Sequence, residues 1–201
     1  MILYRILRPI VVFLFRLVYR RDVRGRENVP ETGAVIICAD HLHIFDPVLI
    51  ASAVKRPIHF VAKDELFRGR FRSWLFNGVG AIPVHRDGSD LAGLKKGLTV
   101  LRKGEALGIF PEGTRRKNGV SAPFKAGAAV FALRSGAPLI PAYIEGSYRA
   151  FSKLRLVFGP PVDLSAYEGK KLSADDYERI AREDIQSAVY ALGEGYEDNN
   201  S

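Results

Sequence analysis

A histidine and an aspartate stand five positions apart just after an apolar run of the chain. His41 and Asp46 are separated by about 140° on a regular helix, so their side chains cannot share a helix face. A strand–turn–helix connection brings them together, because the chain doubles back. A carboxylate on one imidazole nitrogen fixes the tautomer and leaves the other nitrogen to accept a proton. The spacing alone also fits, and favours, a simpler interpretation in which Asp46 only caps the helix.

A second group of polar side chains follows another apolar run, in the segment Pro-Glu-Gly-Thr-Arg at residues 111–115. Gly113 permits a tight turn. The Thr114 hydroxyl, the backbone N–H groups and the Arg115 guanidinium are suited to hold a phosphate. Glu112 supplies an acceptor for a hydroxyl group or for an arginine. The alternative is a polar turn whose charges are simply solvated.

Arg86 lies just after a short predicted strand at residues 81–84, where it is either a second phosphate contact or a surface residue. The sequence has no Gly-x-Ser-x-Gly nucleophile motif, and its single cysteine, Cys38, falls inside an apolar run. A protein nucleophile is therefore not evident, and a histidine base would activate a substrate hydroxyl or a water molecule. One cysteine also excludes a disulfide framework and a multi-cysteine metal cluster.

The elements that must position these side chains alternate between strands and helices. Predicted strands cover residues 34–39, 81–84, 106–110, 139–144 and 154–158, and predicted helices cover residues 46–54, 71–77, 89–103, 124–134 and 173–192. This alternation predicts an α/β fold, a single layered domain with a largely parallel central sheet flanked by helices, plus an N-terminal amphipathic helix. In such sheets functional groups collect beyond the carboxyl ends of the strands, where the three polar segments lie.

Residues 1–21 contain five arginines and no acidic residue. On a helix, the apolar side chains of this segment fall on one half: Ile2, Leu3, Ile6, Leu7, Ile10, Phe13, Leu14, Leu17 and Val18. Arg5, Arg8 and Arg16 cluster on the other half, which predicts a basic amphipathic helix lying in a bilayer interface. A helix that caps the core of the domain has the same periodicity. Pro9 is expected either to kink this helix or to start it.

The positive charge of the chain belongs to its main body. The net charge is +8, and residues 1–162 hold 26 basic and 12 acidic side chains, whereas residues 163–201 hold 4 and 10. This excess suits nucleic acid, anionic lipid or phosphorylated small molecules as partners. Nucleic acid is the weakest of the three, because no known reader motif is present. No stretch of about eighteen residues is free of charge, so a transmembrane helix is not expected.

Four short motifs occur in order along the chain. They are His-x4-Asp at residues 41–46, Ile-Pro-Val-His-Arg at 82–86, Phe-Pro-Glu-Gly-Thr-Arg at 110–115 and Leu-Ile-Pro-Ala at 139–142. Together they resemble the glycerolipid acyltransferase family, above all its 1-acyl-sn-glycerol-3-phosphate acyltransferases, over roughly residues 25–162. The resemblance implies transfer of a fatty acyl group from acyl-CoA or acyl carrier protein to the sn-2 hydroxyl of 1-acyl-glycerol-3-phosphate, which makes phosphatidic acid. It divides the chain into a membrane-interface helix at residues 1–21 and an acyltransferase domain at residues 22–201.

The resemblance also implies roles for individual residues. The matching positions are His41 and Asp46 for the catalytic pair, Arg86 for the phosphate-binding arginine, Glu112, Gly113, Thr114 and Arg115 for the acceptor-binding block, and Lys63 and Lys125 for two lysines of less defined role. In the implied mechanism His41 takes the proton of an acceptor hydroxyl, whose oxygen attacks the thioester directly, so neither a metal nor a cofactor is required. The implied location is the cytoplasmic face of the cell membrane, as a peripheral or monotopic protein.

The sequence departs from the family pattern beside the base, where Asp40 and His43 replace the usual Asn and Ser. An added carboxylate and imidazole could alter the protonation of the base or the acceptor it prefers. Transfer to another lysolipid, or to a different hydroxyl or amine, is therefore the main alternative. Two further interpretations stay open: a non-enzymatic module that binds anionic lipid, and a metal site built from His41, His43, His85 and Asp46.

Overall fold

A seven-stranded sheet organises the chain, and the computed structural model describes residues 2–85, 90–115 and 122–194. The strands are β1 (Arg20–Arg24), β2 (Val35–Ala39), β3 (Ile58–Lys63), β4 (Ile82–Val84), β5 (Ala106–Ile109), β6 (Leu139–Gly146) and β7 (Lys153–Phe158). Their order across the sheet is β1-β7-β6-β2-β5-β3-β4. Every neighbouring pair is parallel except β6 with β7. The predicted α/β class with a largely parallel sheet is confirmed.

Helices cover both faces of this sheet. Within the described ranges they are α1 (Ile2–Val18), α2 (Asp46–Ala53), α3 (Arg70–Gly78), α4 (Leu91–Arg102), α5 (Gly127–Ser135), α6 (Ala174–Ile180) and α7 (Ser187–Glu194), with a π-helical segment at Ala181–Gln186 between the last two. The buried residues of α1 and α2 belong mostly to the core on one face. Those of α4, α5, α6 and α7 belong to the core on the other face.

Strand β2 lies at the centre of the sheet and is buried along its whole length. Ile36 and Cys38 point into the core beneath α4 and α5, whereas Val35 and Ile37 point into the core beneath α1 and α2. Because both faces of the strand are covered, its sequence is a continuous apolar run rather than an alternating one. The carboxyl end of this rigid strand carries the first polar segment.

Strands β1 and β3 are absent from the prediction made from the sequence. The sequence of β1, Arg-Arg-Asp-Val-Arg, has no apolar alternation, and the strand lies at the edge of the sheet, where it pairs only with β7. An edge strand has one unpaired side and can be short and charged. Its place in the sheet therefore depends on a partner more than 120 residues away in the sequence, with Arg20 opposite Lys153.

Helix α1 exposes most of its apolar half. Tyr4 and Phe15 are its buried residues, and Arg8 on the same side donates hydrogen bonds to the carbonyl oxygens of Ala51 and Val54 at the end of α2. Six of the nine apolar side chains of the opposite half are at least 53% exposed: Ile2, Ile6, Ile10, Phe13, Leu14 and Leu17. The interpretation in which this half caps the core is therefore wrong.

Two helix ends follow local sequence signals. Ser173 and Asp176 form a capping box at the start of α6, and Gly136 ends α5 in the left-handed conformation. Helix α1 begins at Ile2 and continues through Pro9, so the proline does not start it. None of the described helices is long and apolar enough to cross a membrane.

Candidate active site

The end of β2 and the start of α2 bring His41 and Asp46 into contact. The distance between His41 Nδ1 and Asp46 Oδ2 is 2.7 Å. Helix α2 begins at Asp46 itself, with Phe45 in the capping position and Pro47 in the first turn. The interpretation of Asp46 as the helix cap is therefore wrong. Its carboxylate turns back toward the end of the strand, as a histidine–aspartate pair requires.

Asp46 is fully buried and accepts four hydrogen bonds. Its Oδ2 accepts from the backbone N–H groups of Leu42 and His43, both at 2.7 Å, and from the ring of His41. Its Oδ1 accepts from the hydroxyl of Tyr148 at 2.6 Å. A buried carboxylate is costly unless its oxygens are supplied with donors. The four donors offset that cost and fix the orientation of the carboxylate.

The ring of His41 is held on its edge and on its face. Nδ1 contacts Asp46, and the ring stacks on Phe110 with 4.4 Å between the ring centroids and 25° between the planes. The side chain is 19% exposed, and Nε2 has no hydrogen-bond partner among the residues that the structure describes. A neutral imidazole held by a carboxylate at Nδ1 has Nε2 available for a proton. This is the arrangement of a general base.

The loop after β5 has one buried side and one exposed side. Pro111 and Glu112 are buried, whereas Thr114 and Arg115 are exposed. Between them Gly113 adopts a φ of +64°, which glycine tolerates because it lacks Cβ. The turn therefore presents the Thr114 hydroxyl and the Arg115 guanidinium to solvent, where a phosphate could reach them.

Two lysines singled out in the sequence lie near strand ends. Lys125 is exposed and runs along Gly113, since a Cβ built on that glycine would be 3.7 Å from Lys125 Nζ. The backbone N–H of Lys125 donates to the Pro111 carbonyl at 3.1 Å, which holds the lysine against the loop. Lys63 is the last residue of β3, is partly buried, and pairs in register with Val84. Lys125 thus adds positive charge to the exposed side of the loop.

Arg86 lies outside the described residues, in the stretch 86–89. The residues on either side of that stretch are joined by Asp90. Its Oδ2 accepts from the backbone N–H of His85 at 2.8 Å, and its Oδ1 accepts from that of Gly93 at 2.9 Å, which caps α4. One carboxylate therefore joins the chain that leaves β4 to the helix that follows.

The C-terminal helices contact the buried side of the loop after β5. Glu112 accepts a hydrogen bond from the Tyr190 hydroxyl at 2.9 Å, and Gln186 in the π-helical segment accepts one from the Phe124 backbone N–H at 3.1 Å. The structure therefore places Glu112 on the buried side of the loop rather than on its exposed side. Tyr190 and Gln186 were missed by the sequence analysis, because no short-range pattern connects residues more than 60 positions apart.

Asp40 and His43, which distinguish this chain beside the base, contact protein groups. Asp40 is fully buried, and its Oδ1 accepts from the Ile144 backbone N–H at 2.7 Å, which ties the end of β2 to β6. The His43 ring stacks on Tyr148, with 4.4 Å between centroids and 20° between planes. Both side chains therefore support the loop that carries His41.

The described part of the chain contains neither the proposed alternative metal site nor a reactive thiol. No group of three or more His, Cys, Asp and Glu side chains there could hold a metal ion. His85 contacts Asp64, with 3.2 Å between Nδ1 and Oδ2. Burial, reinforced by the charges of Asp40 and Glu112, raises the pKa of the Cys38 thiol. Cys38 therefore stays protonated, and a buried thiol is not a nucleophile.

The chain is similar in sequence to known acyltransferases. A sequence model of the Acyltransferase family matches residues 20–145. The 1-acyl-sn-glycerol-3-phosphate acyltransferase of Borreliella burgdorferi is 31% identical over 175 residues, which cover 80% of this chain and 70% of that protein. The enzyme of the same name from Bacillus subtilis is 31% identical over 146 residues, which cover 70% of this chain and 72% of the relative.

A solved structure shares the fold. The crystal structure of the 1-acyl-sn-glycerophosphate (LPA) acyltransferase, PlsC, from Thermotoga maritima superposes with a TM-score of 0.72 at 25% sequence identity. The superposition covers 94% of this chain and 79% of that one. The similarity therefore extends over nearly the whole chain.

Proposed function

The chain belongs to the Acyltransferase family, and we propose that it transfers a fatty acyl group from a thioester to the sn-2 hydroxyl of 1-acyl-glycerol-3-phosphate. The product would be phosphatidic acid. The observation that carries this proposal is the pairing of His41 with the buried Asp46, 2.7 Å apart, with Nε2 left available. The acceptor is proposed from the names of the two bacterial relatives and from the cationic loop next to this pair.

In the proposed reaction His41 acts as the general base. Its Nε2 takes the proton of the acceptor hydroxyl while the oxygen attacks the thioester carbonyl carbon. The carbon–sulfur bond of the tetrahedral intermediate then breaks, and the leaving thiolate recovers the proton from the imidazolium. Asp46 supports the positive charge on the ring during the reaction. Backbone N–H groups near residues 110–115 are our candidates for stabilising the oxyanion.

The acceptor phosphate would be held by the cationic side chains of the loops. Arg115 and Lys125 are both exposed; Lys125 lies beside the Gly113 turn, and Arg115 follows that turn by two positions. Arg86 is proposed as a further phosphate contact, on the strength of its place in the motif. Fixing the phosphate at one end of the acceptor places its hydroxyl near the base, and such positioning can supply a large part of the rate.

The exposed apolar half of α1 supports a location at a membrane surface. Phe13 and Leu17 are 62% and 60% exposed, and Arg5 and Arg16 are exposed on the adjoining side. An amphipathic helix of this kind buries its apolar face at the boundary of headgroups and acyl chains and attracts anionic lipid. We propose that the protein is peripheral or monotopic at the cytoplasmic face of the cell membrane, where a lysophospholipid acceptor is found.

The acyl donor is proposed to be acyl-CoA or acyl carrier protein. Both carry negative charge where they dock, which suits the positive main body of the chain. The reaction needs no metal, because a thioester is already an activated acyl group. Purified protein assayed with both donors, against 1-acyl-glycerol-3-phosphate and several other lysolipids, identifies the donor and separates the proposed acceptor from the alternatives.

The deciding experiment compares His41→Ala with His85→Ala in that assay. Loss of a general base costs about 10²- to 10⁴-fold in rate, so His41→Ala should abolish measurable transfer while the thermal melting curve stays unchanged. His85 is the matched control because it also contacts a carboxylate, that of Asp64. The His85→Ala variant should retain transfer, whereas a metal site would lose function in both. The proposal is contradicted if His41→Ala transfers acyl groups as fast as the unaltered protein. It is also contradicted if the unaltered protein binds anionic vesicles but transfers no acyl group.

A further inference from the structure

Tyr148 contacts the carboxylate of the catalytic pair from a distant part of the chain. It lies in the connection between β6 and β7, and its hydroxyl donates to Asp46 Oδ1 at 2.6 Å. The other oxygen of the same carboxylate contacts His41. We propose that Tyr148 is a positioning residue of the acyl-transfer centre, which sets how much negative charge Asp46 presents to the His41 ring. This inference rests on the proposed function.

The phenol is suited to be a permanent donor. Burial is the main cause that raises the pKa of Tyr148, and the charge of Asp46 raises it further. The hydroxyl therefore keeps its proton over the whole range in which an imidazole titrates. Its hydrogen bond to Asp46 consequently stays in place at every pH at which the enzyme works.

Tyr148 is fixed by the end of α1 as well as by the site. The hydroxyl of Tyr19 donates to the Tyr148 carbonyl at 3.3 Å, and the two rings pack edge to face with 5.7 Å between centroids. Phe15 lies 6.5 Å from the same ring, and the Phe151 N–H donates to the Val18 carbonyl at 2.7 Å. The proposed membrane helix therefore adjoins the residue that touches the catalytic carboxylate.

The titratable groups around this pair come from several elements. Asp40 and His43 lie on the loop between β2 and α2, and Tyr19 follows α1. The loop after β5 contributes the uncharged ring of Phe110. Asp40 and Tyr19 both add to the raised pKa of Tyr148, so none of these neighbours weakens its role as a donor.

Removing the hydroxyl changes the charge seen by His41 in a definite direction. Without Tyr148 as a donor, Asp46 is a stronger acceptor for the Nδ1–H group of His41, which favours the imidazolium. A general base must be neutral to act. The acid limb of the pH–activity profile therefore moves to higher pH. The loss of one hydrogen bond to a charged group corresponds to a shift of this limb by about one pH unit.

The test compares Tyr148→Phe with Tyr167→Phe in the full-length enzyme. Tyr167 is the matched control, because its hydroxyl donates to the Asp184 carboxylate at 2.9 Å away from the site. In Tyr148→Phe we expect the acid limb of kcat/KM to move up by about one pH unit and kcat to fall about tenfold, with the acceptor KM within about twofold. Tyr167→Phe should match the unaltered enzyme in its pH profile.

Each outcome bears on one of the two proposals. If the unaltered enzyme transfers no acyl group, the proposed function fails. If it is active but the acid limb of Tyr148→Phe does not move, the inference about Tyr148 is overturned, even where the rate falls. An equal shift in Tyr167→Phe would overturn it as well, because the effect would then be general to the fold.

A separate observation concerns the surface of α3. Phe71 and Trp74 are 71% and 59% exposed, and their rings contact each other at 6.0 Å between centroids. Three exposed arginines adjoin them in the sequence: Arg68, Arg70 and Arg72. Exposed aromatic rings beside arginines are typical of the boundary between water and an anionic bilayer.

The aromatic pair continues the exposed half of α1. Phe71, Trp74 and Gly78 share one face of α3, because they are three and seven positions apart. The Leu3 side chain of α1 lies against this face, since a Cβ on Gly78 would be 2.5 Å from Leu3 Cδ2. We infer that α3 is a second contact with the leaflet of anionic phospholipid on which α1 rests.

Trp74 is the only tryptophan of the chain, so its fluorescence reports on α3 without any alteration of the protein. With vesicles of phosphatidylglycerol and phosphatidylcholine we expect a blue shift of the emission and quenching by brominated acyl chains. Phe71→Ser should reduce both effects. Leu91→Ser is the matched control, because Leu91 is 77% exposed on α4, a helix of the opposite face. Emission that does not shift, whether or not the protein sediments with the vesicles, overturns the inference.

Discussion

The imidazole of His41 lies nearly parallel to the ring of Phe110, with 4.4 Å between the centroids. Phe110 is also the residue that leads from β5 into the Pro-Glu-Gly-Thr-Arg loop, and its ring stacks on that of Phe60 with 5.9 Å between the centroids. His41 and the loop proposed to bind the acceptor are therefore in direct contact. A displacement of one is transmitted to the other, because packed rings have few alternative positions.

This contact predicts the effect of Phe110→Leu. Leucine retains apolar volume but gives no flat surface for the imidazole, so the ring of His41 gains freedom to tilt away from the acceptor. We expect kcat to fall about tenfold, since misplacement of a catalytic group by about 1 Å costs up to about 100-fold. Steady-state kinetics with a melting curve checks this. A KM effect without a kcat effect would show that Phe110 serves binding instead.

Asp46→Asn tests the charge of the pair. The amide is similar in size, but it has no negative charge for an imidazolium and only one acceptor oxygen for four donors. We expect kcat to fall about 10³-fold and the free energy of unfolding to fall by about 1–3 kcal/mol. Single-turnover rates and urea unfolding measure the two effects. Near-normal turnover would remove the carboxylate from the proposed mechanism.

The proposed phosphate contacts predict a change in acceptor preference. Arg115→Ala and Arg86→Ala should each raise the KM for 1-acyl-glycerol-3-phosphate about tenfold, because a charge-assisted hydrogen bond is lost. The KM for an uncharged monoacylglycerol should stay the same. Arg102→Ala, an exposed arginine in the last turn of α4, is the control. An equal loss with both acceptors would mean that these arginines do not contact the phosphate.

The exposed half of α1 predicts the response of vesicle binding to substitution. Ile6 and Phe13 are 56% and 62% exposed, and burying such a side chain is worth about 1.5–3 kcal/mol. Ile6→Ser and Phe13→Ser should each weaken binding to anionic vesicles about tenfold or more, as measured by sedimentation, without lowering the melting temperature. Leu91→Ser again serves as the control. Equal binding by all variants would contradict a bilayer contact at α1.

Asp90 provides a prediction about stability and pH. Hydrogen bonds from the backbone N–H groups of Gly93 and His85 lower the pKa of this carboxyl. A lowered pKa in the folded state contributes stability above the ordinary aspartate pKa and loses it as the pH falls through the lowered value. Asp90→Ala should therefore cost about 1 kcal/mol at neutral pH, and the difference from the unaltered protein should shrink in acid. Urea unfolding at both pH values measures it; a constant difference would exclude the carboxylate charge as its source.

The sequence allowed the α/β class to be predicted because buried parallel strands are apolar throughout and amphipathic helices have a clear period. It also placed His41 and Asp46 in one loop, since they lie close together in the chain. The Tyr148 contact with Asp46 was beyond prediction, because it spans 102 positions and depends on how β6 and β7 pair. The same holds for Tyr190 beneath Glu112.

Periodicity also could not decide which way α1 faces. Its apolar half has the pattern of a core-facing helix, yet the structure buries Tyr4 and Phe15 and leaves most of the apolar half exposed. Arg8 explains part of this choice, because its guanidinium supplies donors to carbonyl oxygens at the end of α2. The deciding interactions again join parts of the chain far apart in sequence.

Only Tyr19 separates the end of α1 at Val18 from the start of β1 at Arg20. A one-residue junction gives the domain little freedom to move relative to α1. An enzyme whose α1 lies in the membrane would therefore keep a fixed orientation and a fixed distance from the lipid headgroups. His41, the proposed general base, could not move toward substrates in bulk water. Acceptors would have to diffuse sideways within the supporting leaflet, and each newly acylated product would be released into that same monolayer.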